Sequence, residues 1–190
     1  VSDVIYHARP SLDEYFIGML PGVAARSTDP RCKVACIIVG PQPDNDIRTT
    51  GYNGLPRGAN DDIAERFFRP EKNWWMEHAE ANAILNHARS GGSGLKGCTA
   101  YVCFHPCMRC ARALVQAGIR RVVIDLAEHK LRWTVDWEDD FQRATQLFRE
   151  TRVEVAWWTK LPPTLTSYAP TLTSYVLGND RTVSLPHETT

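Results

Sequence analysis

Two short segments of this chain carry residue types that do chemistry together, His78-Ala79-Glu80 and Pro106-Cys107-Met108-Arg109-Cys110. Zinc is bound chiefly by Cys and His, and a catalytic zinc keeps one position of its tetrahedron for water. His78, Cys107 and Cys110 supply three ligands. Zinc lowers the pKa of its water to roughly 7 and so makes a hydroxide nucleophile near neutral pH. Such a nucleophile needs a proton carrier, and Glu80 is the candidate. A carboxylate there accepts the water proton, protonates a ring nitrogen beside the attacked carbon and delivers a proton to departing ammonia. The chemistry is hydrolytic replacement of an exocyclic amine by oxygen.

A Cys-x-x-C pair alone fits a structural zinc or a thioredoxin-like redox pair equally well. The His-x-Glu partner disfavours redox. A structural zinc takes four protein ligands, and Cys98, Cys103, His87 or His105 would have to provide the last. The two segments together match the pattern used by zinc-dependent nucleobase deaminases.

Helices must position these groups. His78 to about Ala88 reads as one helix, stopped at Ser90-Gly91-Gly92, and Cys107 to Ala117 reads as another, capped by Gly118. With both cysteines in the first turn, side chains at i and i+3 share a face. The helix N-terminus favours thiolate, the form that zinc binds. Upstream, 12–20 and 23–26 have helical apolar spacing, and Pro21-Gly22 is expected to kink or split the helix. Val34 to Val39 and Ile47 to Tyr52 read as strands. A polar insertion follows from Asn53 to Asn73, with an apolar island at Ile63 to Phe68. Strands at Thr99 to Phe104, Arg121 to Asp125 and Val153 to Trp158, with a helix from Glu138 to about Arg149, complete a β-α alternation. That alternation implies a three-layer α/β/α domain over residues 1–160. Residues 161–190 hold a tandem near-repeat, Pro163-Thr-Leu-Thr-Ser-Tyr-Ala then Pro170-Thr-Leu-Thr-Ser-Tyr-Val, and are expected to be an extended tail.

At 190 residues one domain is expected. Lys+Arg and Asp+Glu are each 22, so no broad basic surface gathers a nucleic-acid backbone and a small substrate is favoured. With neither a secretion signal nor an apolar run long enough for a bilayer, the reading is a soluble cytoplasmic protein with no membrane partner. Six cysteines are then two ligands and four thiols, with Cys32, Cys36, Cys98 and Cys103 as small side chains in or beside strands.

Other residues have two readings. Asn53 stands at a strand end where its amide reaches a sugar hydroxyl or, as Asn-Gly, simply makes a turn, and spacing favours the turn. His105 touches substrate or is a buried, hydrogen-bonded histidine. Trp74 and Trp75 are core, or part of a stacking wall.

The chain resembles the deoxycytidylate (dCMP) deaminase family of the cytidine deaminase superfamily, from about Tyr15 to Val123. The resemblance rests on Arg26-Ser27-Thr28-Asp29-Pro30, Gly51-Tyr52-Asn53-Gly54-Leu55-Pro56, Asp61-Asp62, His78-Ala79-Glu80-Ala81-Asn82-Ala83-Ile84, the Pro106 to Cys110 segment and Gln116-Ala117-Gly118-Ile119. It implies a cytidine-deaminase-like fold with a central five-stranded mixed sheet, and hydrolysis of dCMP to dUMP and ammonia, feeding thymidylate synthesis. It assigns Asn53 to the sugar, the Ala79 N–H to the pyrimidine carbonyl and Arg26 to the phosphate. Members are commonly hexameric, activated by dCTP and inhibited by dTTP with magnesium, so a homo-oligomer, hexamer or dimer, is expected. Where the family usually has Gly-Ala after the residue matching Val34, this chain has Ala35-Cys36. No set for the second, structural zinc of some viral members is evident, so one zinc per subunit is expected. The rivals are another free-nucleotide or tRNA base deaminase with the same zinc site, and a non-catalytic zinc-stabilised protein. The presence of Glu80 disfavours the latter.

Overall fold

The computed structural model describes residues 9–132 and 137–159. The tandem Thr-Leu-Thr-Ser-Tyr segment and the expected tail lie outside the described residues.

Helix α1 (Leu12–Ala24) starts where Ser11 Oγ accepts the Glu14 N–H at 3.1 Å, a Ser-x-x-Glu start. It runs through Pro21 as one helix, not two. Pro21 lacks the N–H that would close on the preceding turn, yet its own carbonyl accepts Ala25 N at 3.0 Å, so the ladder resumes. Strands β1 (Ala35–Val39) and β2 (Ile47–Tyr52) form an antiparallel pair. The insertion then contains a 3-10 turn (Ala64–Phe67) and a four-residue helix α2 (Lys72–Trp75). Helix α3 (Ala79–Ser90), strand β3 (Thr99–Val102), helix α4 (Met108–Gln116) and strand β4 (Arg121–Asp125) follow, then α5 (Leu126–Arg132), α6 (Glu138–Glu150) and β5 (Glu154–Trp158).

The sheet order is β2-β1-β3-β4-β5, with antiparallel β2-β1 and β1-β3 pairs and parallel β3-β4 and β4-β5 pairs. It is the expected five-stranded mixed sheet. Side chains alternate between its faces with period two, and β1 is buried throughout. Cys36 and Ile38 join Ala79, Ala83, Ala111, Leu114, Ala144 and Phe148 beneath α3, α4 and α6. Ala35, Ile37 and Val39 join Phe16, Ile17 and Leu20 beneath α1. These are the three layers of an α/β/α domain. On the α1 face, Arg121 Nη1 and Nη2 donate to Asp13 Oδ1 and Oδ2 at 2.6 and 2.9 Å, and Tyr101 Oη donates to Asp13 Oδ1 at 2.8 Å. Among the described residues, no helix is long and apolar enough to cross a membrane.

Candidate metal centre

His78 and Cys107 are the N-cap residues of α3 and α4, both in extended backbone (φ −77°, ψ 158° and φ −66°, ψ 166°). An N-cap side chain folds back over the first turn of its helix, which brings Cys107 to Cys110, three residues on. Both cysteines are buried, and α3 meets α4 so that His78 Nδ1 lies 3.5 Å from Cys107 Sγ and 3.4 Å from Cys110 Sγ. All three ligand atoms lie within 4.8 Å of one another. A tetrahedral zinc with bonds of about 2.3 Å to sulfur and about 2.0 Å to nitrogen has N···S edges of roughly 3.5 Å. The trio fits zinc.

The protons in this cluster sit where a cation would replace them. Cys107 is lowered well below its ordinary value, first by the hydrogen bond from the Cys110 thiol and then by His78, against the opposing cost of burial. The same hydrogen bond, with burial, pushes Cys110 upward. His78 rises to about 9, chiefly through its hydrogen bond to Cys107 and despite burial. Metal binding at such a site releases protons.

Glu80 occupies the second position of α3 and is 5% exposed. Because His78 stands outside the helix in extended backbone, the near-opposite orientation expected of residues two apart on a helix does not apply. Burial raises the Glu80 carboxyl above its ordinary value, opposed first by the charge of His78. A carboxyl so placed holds a proton more readily than an exposed one, as a proton carrier must. Ala79, fully buried, is the first residue of α3, where a helix N–H has no partner in its own ladder.

Helix α3 is seated by polar contacts to β2. Asn82 Nδ2 donates to Tyr52 O and Asn86 Nδ2 to Thr50 O, each at 2.8 Å, and Thr49 Oγ1 donates to Ala83 O at 2.9 Å. Gly51 lets the helix come this close, because a methyl group there would overlap Ala79 O and the Ala83 backbone. Ahead of α3, Glu77 and Gly54 exchange backbone hydrogen bonds at 2.9 and 3.1 Å, which sets Asn53 beside the metal segment. The Glu77 carboxylate accepts the His78 N–H at 3.1 Å and Arg109 Nη2 at 2.6 Å, joining the two motifs. Sequence reading missed Glu77 and Asn86, and named Asn82 only within the resemblance, without a role. The i,i+4 spacing of the two asparagines was the available signal.

The remaining expected contacts are placed as follows. Asn53 is 8% exposed, with Oδ1 accepting Val34 N at 2.8 Å and Nδ2 donating to Cys32 O at 2.8 Å and Asp29 Oδ2 at 3.1 Å. Both donors are spent on the 29–34 loop, and Oδ1 keeps one lone pair. Asp29, itself fully buried, also pairs with Lys72 of the insertion. Arg26 is exposed one residue before Ser27, whose hydroxyl donates to Asn53 O at 2.8 Å. His105 is 4% exposed, with Nδ1 donating to Pro106 O at 2.9 Å and Nε2 facing Thr145 Oγ1 at 3.1 Å. Burial lowers it to about 4, so it is neutral at pH 7. Both ring nitrogens have partners within the protein, and Phe141, Phe148 and Trp157 surround the ring. Trp74 is 83% exposed, and Trp75 lies under Arg66 at 3.6 Å. Neither tryptophan is core.

A model of the cytidine and deoxycytidylate deaminase zinc-binding region matches residues 10–126. The chain belongs to that family. It is 38% identical over 115 residues to the deoxycytidylate deaminase of Homo sapiens, covering 58% of this chain and 62% of that protein. It is 35% identical over 128 residues to the deoxycytidylate deaminase of Mycobacterium phage D29, covering 61% of this chain and 95% of the relative. The structure of dCMP deaminase from the cyanophage S-TIM5 in complex with dCMP and dUMP shares the fold, with a TM-score of 0.59, 21% identity and coverage of 80% and 100% of the two chains. The chain thus spans about three fifths of the length of its human relative, and α6 and β5 lie beyond the matched family region.

Proposed function

We propose that this chain hydrolyses dCMP to dUMP and ammonia, with His78, Cys107 and Cys110 as zinc ligands. The convergence of those three atoms beside a buried carboxyl carries the reading. The choice of dCMP is supported by relatives named for that activity, above all the phage deaminase that the chain matches over 95% of its length. Zinc bound here supplies a Lewis acid that brings water to the verge of ionisation near pH 7. Glu80 takes one proton from water and gives it to the ring nitrogen next to the amine-bearing carbon, then takes the second from the newly added hydroxyl and passes it to the leaving amine. The sum is dCMP plus water to dUMP plus ammonia. The Ala79 N–H, at the positive end of α3, holds the pyrimidine carbonyl. Asn53 meets the sugar through the lone pair left on Oδ1, and Arg26 meets the phosphate.

The same reading extends to a cytoplasmic homo-oligomer, hexamer or dimer, answering to dCTP and to dTTP with magnesium. Dependence of dCMP kinetics on either triphosphate checks the regulatory half of that extension.

Ammonia release from dCMP, dCTP, deoxycytidine and guanine tests the substrate, with dCMP expected to be fastest. Glu80→Gln should keep its zinc and lose up to a factor of about 10⁴ in kcat, the upper range for loss of a proton-transfer group. Undiminished turnover in that variant sinks the mechanism, and preference for another base sinks the substrate assignment.

A further inference from the structure

The Cys107 segment is held from a part of the chain that the family match does not reach. Helix α6 begins 12 residues after residue 126, the end of the match. Its first turn presents Asp140, whose Oδ2 accepts the backbone N–H of Met108 at 2.6 Å. Met108 is the first residue of α4 and lies next to Cys107, so this N–H is among those its own helix leaves without a partner. An anionic acceptor at that end also opposes the helix dipole favourably. One and a half turns further along α6, Thr145 Oγ1 lies 3.1 Å from His105 Nε2. The Pro106 carbonyl can only accept, so His105 Nδ1 carries the proton and Nε2 accepts from Thr145. Phe141 between them packs on Phe104 and His105, at 5.2 and 5.1 Å between centroids, and Phe141, Ala144 and Phe148 bury the helix face. Residues 105–108 are therefore gripped on both sides of Cys107 by one helix.

We infer that Asp140 is a positioning residue for the metal centre, fixing the backbone that aims Cys107 at the ion, with Thr145 as its partner through His105. This rests on the ligand set proposed above. Asp140 does not reach the reacting atoms. Its contribution is to the rigidity of a ligand, and polar groups that orient metal ligands typically alter metal affinity by about 10- to 100-fold when removed.

Competition for zinc between the full-length protein and a chromogenic chelator tests the inference, alongside the absorption spectrum of the cobalt-substituted protein. Asp140→Ala is expected to weaken zinc retention by about 10-fold or more and to change the tetrahedral cobalt bands. Asp140→Asn, which keeps a side-chain oxygen for Met108 N–H, should recover most of the affinity. Thr145→Val should weaken retention in the same direction and by less. Wild-type zinc retention and cobalt spectrum in a folded Asp140→Ala protein overturn the inference. Should that variant fail to fold, unchanged retention in both Asp140→Asn and Thr145→Val overturns it instead. Cys107→Ser separates the two levels. If it loses zinc while Asp140→Ala does not, only the role of Asp140 falls. If it keeps zinc fully, the ligand set falls, and the inference with it.

Discussion

The two halves of the metal centre are built alike at their tips and differently at their supports. Each presents a candidate ligand from a helix N-cap, His78 on α3 and Cys107 on α4. Helix α3 is fastened to β2 by its own asparagines and by the room that Gly51 leaves. Those contacts span 30 and 36 residues and lie within the matched family region. The Cys107 half is fastened from α6, beyond that region. Short motifs therefore supply the candidate ligands, while two unrelated parts of the chain specify how firmly each of those side chains is held. Loosening the first half should disturb Glu80 and turnover. Loosening the second should disturb the metal.

Gly51→Ala breaks the comparison most forcibly. The added methyl collides with rigid helix backbone, so a loss of about 3 kcal/mol is expected, at the severe end of ordinary overpacking. Urea unfolding measures it, and a cost within about 0.5 kcal/mol would show that α3 can shift. The Asp13 cluster on the opposite face of the sheet is a reference that touches neither half. Tyr101→Phe removes a charge-assisted hydrogen bond worth about 2 kcal/mol. Burial, then Asp13, raises the Tyr101 hydroxyl above its ordinary value. A raised folded value means stability present below the unfolded pKa of about 10 and lost as pH climbs beyond it. The gap between wild type and Tyr101→Phe should thus narrow above about pH 10, and unfolding midpoints from pH 7 upward check this. A gap that widened would reverse the assignment. Asn82→Ala is the mildest, at about 1 kcal/mol. It should lower kcat while leaving zinc retention as in wild type, opposite to the pattern expected of Asp140→Ala. A loss of zinc from Asn82→Ala would erase the distinction between the halves.

Strands announced themselves best in the sequence. β2 and β4 fall on the expected residues because both are short apolar or β-branched runs between turn signals. The convergence of His78, Cys107 and Cys110 was equally legible, since their spacing survives whether Cys107 is the cap or the first helical residue. Pro21 does not split the helix, because proline penalises a helix locally while burial of Phe16, Ile17, Leu20 and Ala24 rewards its continuation. Helix α5 went unseen although Asp125 and Glu128 have capping spacing, and Asp125 Oδ1 does accept Ala127 N at 3.0 Å and Glu128 N at 3.2 Å. His105 illustrates the deeper limit. Adjacency to a candidate ligand left both substrate contact and a buried, hydrogen-bonded role open, and the neighbours that bear on the choice, Thr145 and Trp157, are 40 or more residues away, where no local pattern reports them.

The asparagines of α3 have one more consequence. Asn53 N donates to Val34 O, directly across the β1-β2 pair, so alternate residues of β2 turn away from β1, among them Thr50 and Tyr52. Their carbonyls are the ones that Asn82 and Asn86 occupy. Bare outer edges of sheets are templates on which a foreign strand can add and aggregates can grow. Here that template is filled at two positions by amides of the chain itself, so the contacts that seat the helix bearing Glu80 also obstruct strand addition at those positions.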